Sequence, residues 1–375
     1  MSGRRAPDPS VVIDLSRRKT REVVRESIVE ARRAAAPYVT MTRIALRRLA
    51  RDRLARAGAL VLACLALVGV LADLMASDLP LACSWRGSLY ALPDVTHPAA
   101  LADLDRARME RERGPGDWWL SPPVAHGPSR GDVGAVLLPP LASGHPLGTD
   151  ALGRDVFARV VHGARTALGL GLAASLVLVV LGVALGGIAG FAGGVVDSVV
   201  SRVIESLTAI PTLVLVLVVG ALVPHPTTAT LLWTIALTRW TELARLVRAE
   251  VVRALGEDYV AAARALGASP VRVLTRHVLP NTIAPAIVAA AFGVAAVVVI
   301  EAAVDFLGAG TSETLASWGE SMGEARTHPG AWWLIAFPGT ALLATLVALH
   351  LVGEAARNAL DPRLRGTAAE VGAGG

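Results

Sequence analysis

A bundle of membrane-crossing helices is the fold class this sequence predicts: an all-α, polytopic membrane protein with about six transmembrane helices. Three observations predict it. Hydrophobic residues make up 53% of the 375-residue chain and charged ones only 18%, with a mean hydropathy of +0.53, a balance too apolar for a soluble domain. The apolar residues gather in blocks that approach the roughly 20 residues needed to cross about 30 Å of hydrocarbon. Between the blocks, basic and acidic residues are sorted into different connections, as inner and outer loops require.

Residues 1–56 contain 15 Lys/Arg against 6 Asp/Glu and no long apolar run, so they are expected on the cytoplasmic side. Within them, residues 20–36 have helical composition with Val24, Ile28 and Ala31 on one side. That stretch suits either anionic headgroups or a solvated basic tail. The first apolar core begins only around Gly58, which fits an uncleaved anchor better than a signal peptide. It gives a first span over 57–77, with Asp73 near the outer interface and no function assigned to it. Cys64 and Cys83 make no disulfide framework and read as packing residues. Residues 78–145 carry 8 acidic and 6 basic residues and are expected outside. There Trp85, Trp118 and Trp119 suit the membrane surface or a small folded loop.

The stretch HPLGTDALGRDVFARVVHGART (145–166) has a stripe of Leu152, Val156, Val160 and Val161, which predicts a helix lying along the membrane before the chain re-enters it. His145, Asp150, Asp155 and His162 do not have the spacing of a compact ligand cluster, so no metal site is expected. The second span covers about 167–190. Gly182, Gly186 and Gly190 fall at intervals of four on one face, a pattern that lets another helix approach closely in lipid. A polar turn over 197–205, a third span over 207–223 with Pro211 in its first turn, and an outer turn at 224–228 follow. The fourth span, 229–242, turns basic and is expected to continue into the cytoplasm.

The loop 243–282 has 7 basic and 4 acidic residues when counted from Arg239. A short helix through YVAAARALG ends at Gly267 as the residue just past its cap. Ser269 and Pro270 start a second helix that runs to Leu279 before Pro280. The thin alanine surface, flanked by Glu257, Asp258, Arg264 and Arg272, fits either a partner's groove or a cap on the bundle. The fifth span, 283–306, contains Glu301, a charge that is expensive in a bilayer and so either lines a pathway or pairs with another helix. The outer loop 309–331 has three acids and one arginine, and Trp318, Trp332 and Trp333 fit the interface. A sixth span, 332–353, returns the chain inside, so the membrane core with the five later spans is expected over 146–355, a tail over 356–375, and both termini in the cytoplasm.

A nucleotide-binding loop needs a glycine-rich turn ending in Lys-Ser/Thr, and the only lysine here is Lys19. No nucleophile elbow, HExxH or paired carboxylates appear either, so the chain is not read as an enzyme. Nothing points to nucleic acid.

The loop resembles the EAA loop of ABC-importer permeases. Ala261 stands at the Glu position, Ala262, Ala263 and Gly267 match, His277 stands at the Ile position, and Leu279 and Pro280 match. The stretches Asp258-Tyr259-Val260, Ala262 to Gly267 and Arg276 to Asn281 are similar to the dipeptide/oligopeptide/nickel branch. So are 145–166, AIP (209–211), WGESM (318–322), FPG (337–339) and LDPRLRG (360–366). The place of the first span and outer loop is that of the second permease subunit of oligopeptide importers. Ala303, Val304 and Asp305 before Phe306, and His350 where Asn is common, depart from the pattern. The resemblance implies a type I ABC-importer permease fold in the inner membrane and import of peptides, with nickel or another small solute as the alternative. It implies ATPase coupling through Tyr259, Ala262, Ala263, Arg264, Leu266, Gly267, Ala268, His277, Leu279 and Pro280. Implied partners are a homologous permease, two ATP-binding subunits that use ATP and magnesium, an external solute-binding protein and membrane lipid. No cofactor is implied on this chain. A gradient-driven carrier or a membrane scaffold is the reading from another class.

Overall fold

The computed structural model describes residues 50–101, 106–310 and 315–360. Most of the basic N-terminal region and nearly all of the LDPRLRG motif lie outside the described residues.

Helix α1 (Arg53–Val70) opens at Asp52, whose carboxylate accepts from the amides of Leu54 and Ala55, satisfying two of the donors a helix start leaves free. It ends at Leu71, short of the expected residue 77, and a turn over Ala72–Met75 follows. Asp73 on that turn takes an ion pair from Arg165 at 2.7 Å.

The outer region is not a plain polar loop. Strands β1 (Ala82–Trp85), β2 (Ser88–Ala91) and β3 (Trp118–Leu120) form an antiparallel sheet in the order β2-β1-β3. Arg86 and Gly87, both with positive φ, make the tight hairpin between the first two, as a two-residue hairpin loop demands. Cys83 and Trp85 pack with Leu101 and Met109 beneath the sheet. Of the two positions expected for Trp85, the small folded loop is the one it takes, while Trp118 is about half exposed.

Residues 145–155 do not form the expected helix along the membrane. Asp150 and Asp155 instead bond nearby amides, those of Leu152, Arg154 and Ala158 at 2.8–2.9 Å, and such local bonds favour turns and caps over helix. Asp155 caps α2 (Val156–Ala192), a single helix of 37 residues.

After Gly193, α3 (Gly194–Thr208) occupies the residues expected to be a polar turn. It meets α4 (Thr212–Leu222) at a 78° bend, so the third span is broken. The break falls at Pro211, which caps α4 and cannot extend α3 because it has no amide to donate. Helix α5 (Thr228–Leu255) starts at a capping box of Thr227 and Thr230 and packs beside α2. There Gly182 faces Leu243, Gly186 faces Ala244 and Gly190 faces Val251. A methyl added at Gly186 would sit 2.4 Å from the Ala244 carbonyl oxygen, so only glycine permits this approach.

The remaining elements are α6 (Asp258–Ala265), α7 (Leu279–Phe306), α8 (Trp318–Glu324) and α9 (Trp333–Leu360). By length and composition α1, α2, residues 285–306 of α7 and α9 can cross a membrane, and the bent α3–α4 pair makes a fifth span if taken as one. The fourth expected span, 229–242 within α5, stands apart from them because Arg239, Glu242, Arg245 and Arg248 charge the second half of that helix.

Trp318 and Trp333 are also core residues rather than interface anchors. Trp318 is 1% exposed and donates to the Val160 carbonyl at 2.9 Å, and Trp333 donates to that of Thr149 at 2.9 Å, since a buried indole N–H needs an acceptor. Around them the α8 end of the bundle closes on an ion cluster. Arg154 reaches Asp150, Glu320 and Glu324 at 2.6, 3.0 and 2.5 Å, and Arg159 reaches Glu320 at 2.7 Å. Burial, with the Asp150 charge adding to it, raises Glu324 above the usual carboxylate range.

Candidate coupling loop and intramembrane residues

The loop takes its shape from local caps. Asp258 lies in the first turn of α6, where the helix dipole favours an acid. At its end Gly267 takes φ +81°, its amide bonding the Arg264 carbonyl at 3.0 Å and the Ala268 amide bonding that of Ala263 at 3.0 Å. This double bond pattern is a Schellman cap. The chain turns there and restarts at Ser269, whose hydroxyl accepts from the Arg272 amide at 3.4 Å, with Pro270 as the first helical residue.

The second helix does not stop before Pro280. Residues Val273–Val278 wind as a π turn and join α7 at Leu279. Pro280 then sits in a first turn, where a missing amide costs little, so the expected end at Leu279 is corrected. From Pro270 the second half of the loop runs into the fifth span without a break in the helical hydrogen bonding.

The candidate residues divide by face. Val260, Val273 and Val278 are fully buried in the main core, with Tyr259, Ala268 and Leu279 packed on it and Ala263 turned inward. Leu279 lies against Gly187 of α2. Ala262, Arg264, Leu266 and Gly267 face outward, Leu266 with 88% exposure, and His277 and Pro280 are half-buried. Arg264, Arg272 and Arg276 have no carboxylate partner among the described residues. A leucine knob, a flat alanine face and three free cations suit a protein groove with an acidic rim.

Glu301 sits elsewhere. It is 2% exposed, and its Oε1 accepts from the Ser317 hydroxyl at 3.1 Å, while Oε2 has no partner among the described residues. Asp305, one turn later, likewise has an unpartnered buried oxygen. Both lie by α8, at the end of the bundle away from the loop. The sequence reading passed over a third location, the α3–α4 break with Thr208, Arg239, Glu242 and Arg245. The signal for it was TRWTELAR, three charges at and just past the end of the expected fourth span.

The family model of the binding-protein-dependent transport system inner membrane component matches residues 182–366, which include the glycine face, the loop and α7. A protein of Brucella suis biovar 1, named as a peptide transport system permease, is 37% identical over 66% of this chain and 83% of its own. The di/tripeptide transport system permease protein DppC of Pseudomonas aeruginosa is 35% identical over 67% of this chain and 83% of its own. The oligopeptide transport system permease protein OppC of Bacillus subtilis is 34% identical over 60% and 74%. A crystal structure of an amino acid ABC transporter with histidines aligns at a TM-score of 0.43 and 18% identity, covering 54% of this chain and 94% of that one. With the family model running from the glycine face through the coupling loop, and relatives covered over most of their length, the chain belongs to the family of binding-protein-dependent transport system inner membrane components.

Proposed function

We propose that this chain is the permease subunit of an ATP-driven importer of di- and oligopeptides, set in the inner membrane with both termini in the cytoplasm. It pairs with a homologous permease and receives cargo from an external solute-binding protein. Two partner ATPases bind the ATP and magnesium, and this chain catalyses nothing itself. The observation that carries the reading is the outward face of the Schellman corner. There Ala262, Leu266 and Gly267 stand exposed near three arginines that have no carboxylate partner among the described residues, an arrangement that suits a partner's groove better than a cap on the bundle. The peptide cargo is supported by the names of the relatives.

Closure of the ATPases on nucleotide would push this corner and, through the unbroken π turn, move α7. The bundle would thereby switch between outward-open and inward-open states as a rigid-body change. Glu301, with one oxygen unpartnered, stands as a candidate wall of the pathway in this reading, and Gly182, Gly186 and Gly190 hold α2 to α5 while the corner moves. The test is Gly267→Asp in the complete importer reconstituted in vesicles. The variant should insert in the membrane yet lose ATPase association and ATP-dependent uptake, and wild-type uptake would overturn the docking assignment.

A further inference from the structure

The α3–α4 break opens a cavity of about 500 Å3 lined by Thr208, Pro211, Thr212, Thr241, Glu242 and Arg245, among others, a size within the about 300–1,000 Å3 typical of ligand pockets. Its depth is set by the helix beside it. On α5, Leu243 and Ala244 pack against Gly182 and Gly186 of α2, so Arg245 lies alongside the apolar stretch of α2 and not beyond its inner end. Arg239 and Glu242 neutralise each other at 2.8 Å. Arg245 has no carboxylate partner among the described residues and is held only by the Thr208 hydroxyl at 3.4 Å. That hydroxyl donates its own proton to the Ile204 carbonyl at 2.8 Å, which leaves its lone pairs for the guanidinium.

An arginine at membrane depth without a counter-ion is costly and marks a functional site more often than a structural one. The cavity therefore carries one uncompensated positive charge. Beside it α4 begins at Pro211 with no side chain capping its free amides, and half-helix starts of this kind face anionic substrate groups in broken spans. We infer that this cavity is a subsite of the translocation path in which Arg245 takes the terminal carboxylate of the passing peptide. Arginine pairs with a carboxylate through two parallel N–H bonds, so the site grips a group that every linear peptide with a free C-terminus presents, whatever its side chains. The inference rests on the peptide-importer reading, and it adds the residue that recognises the cargo inside the membrane.

The experiment uses the assembled transporter, with its partner permease and both ATPases, in nanodiscs without nucleotide or binding protein. Saturation-transfer NMR compares Ala-Ala with its C-terminal amide. The wild type should bind the free acid at least tenfold more tightly than the amide. Arg245→Gln should erase that preference, while Arg245→Lys keeps part of it. Thr208→Val, which leaves the charge in place, should reduce the preference about threefold and serves if Arg245→Gln fails to assemble. Equal binding of acid and amide by the wild type, or an unchanged preference in both Arg245→Gln and Thr208→Val, overturns the subsite. Lack of an acid preference together with weakened pairing of Arg245→Gln to its partner assigns the arginine to the permease interface instead. A parallel uptake assay with binding protein and ATP separates the two levels. Uptake without an acid preference sinks the subsite alone, whereas no peptide uptake by the wild type sinks the cargo reading and the subsite with it.

Discussion

The two ends of this bundle handle arginine in opposite ways. At the α8 end Arg154 and Arg159 are essentially buried and each meets carboxylates, from turn 150 and from α8 some 160 residues later in the chain. At the α6 end Arg264, Arg272 and Arg276 are exposed, as is Leu266. The first end is satisfied by its own chain, and the second is the face proposed above to meet a partner. Substitutions at the α8 end should therefore read out as stability, and those at the α6 end as coupling.

The largest stability effect should come from Arg159→Ala, which removes a fully buried guanidinium from Glu320, Ser321 and the Pro128 carbonyl and leaves Glu320 only Arg154 at 3.0 Å. Breaking a buried pair in this way costs about 3–5 kcal/mol, read as a large drop in the melting temperature of the detergent-solubilised protein. Gly186→Val comes next. It forces a side chain against the Ala244 carbonyl, and overpacking of this kind costs about 1–3 kcal/mol, visible in the same melt and as separation of labels placed on α2 and α5. Gly267→Ala meets open space but keeps a positive φ, so about 1–2 kcal/mol of backbone strain is expected. Smallest in stability is Leu266→Ala, within about 0.5 kcal/mol because the side chain is exposed. That variant should nevertheless lose most of its ATPase association in a pull-down. A Leu266→Ala protein that melts early yet still binds its ATPases would break the comparison.

What the sequence made legible was local. The corner at Gly267, Ser269 and Pro270 follows from capping chemistry within a few residues, and the glycine face of α2 follows from spacing alone. The helix that runs on through Pro280 was not legible, because a π turn moves the proline into a first turn where its missing amide does no harm. Trp318 and Trp333 carry the same amphipathic ring that anchors a membrane surface, and only their acceptors, the carbonyls of Val160 and Thr149, reveal that they are buried. The outer sheet escaped notice because its strands are three or four residues long. The ion cluster escaped because no period in the sequence links residue 154 to residue 320. Arg245 lay in plain view, but a charge near the end of a span reads as cytoplasmic until the neighbouring helix fixes its depth.

The π turn has a consequence for how motion is passed on. It joins the exposed corner to α7, 28 residues long and so about 42 Å at 1.5 Å per residue. The far end of that rod bears Glu301 and its bond to Ser317, the residue that caps α8. In the proposed importer a push at the corner would travel along one helix axis, interrupted only by Pro285, to the Glu301–Ser317 bond, with no relay of side-chain rearrangements needed between them.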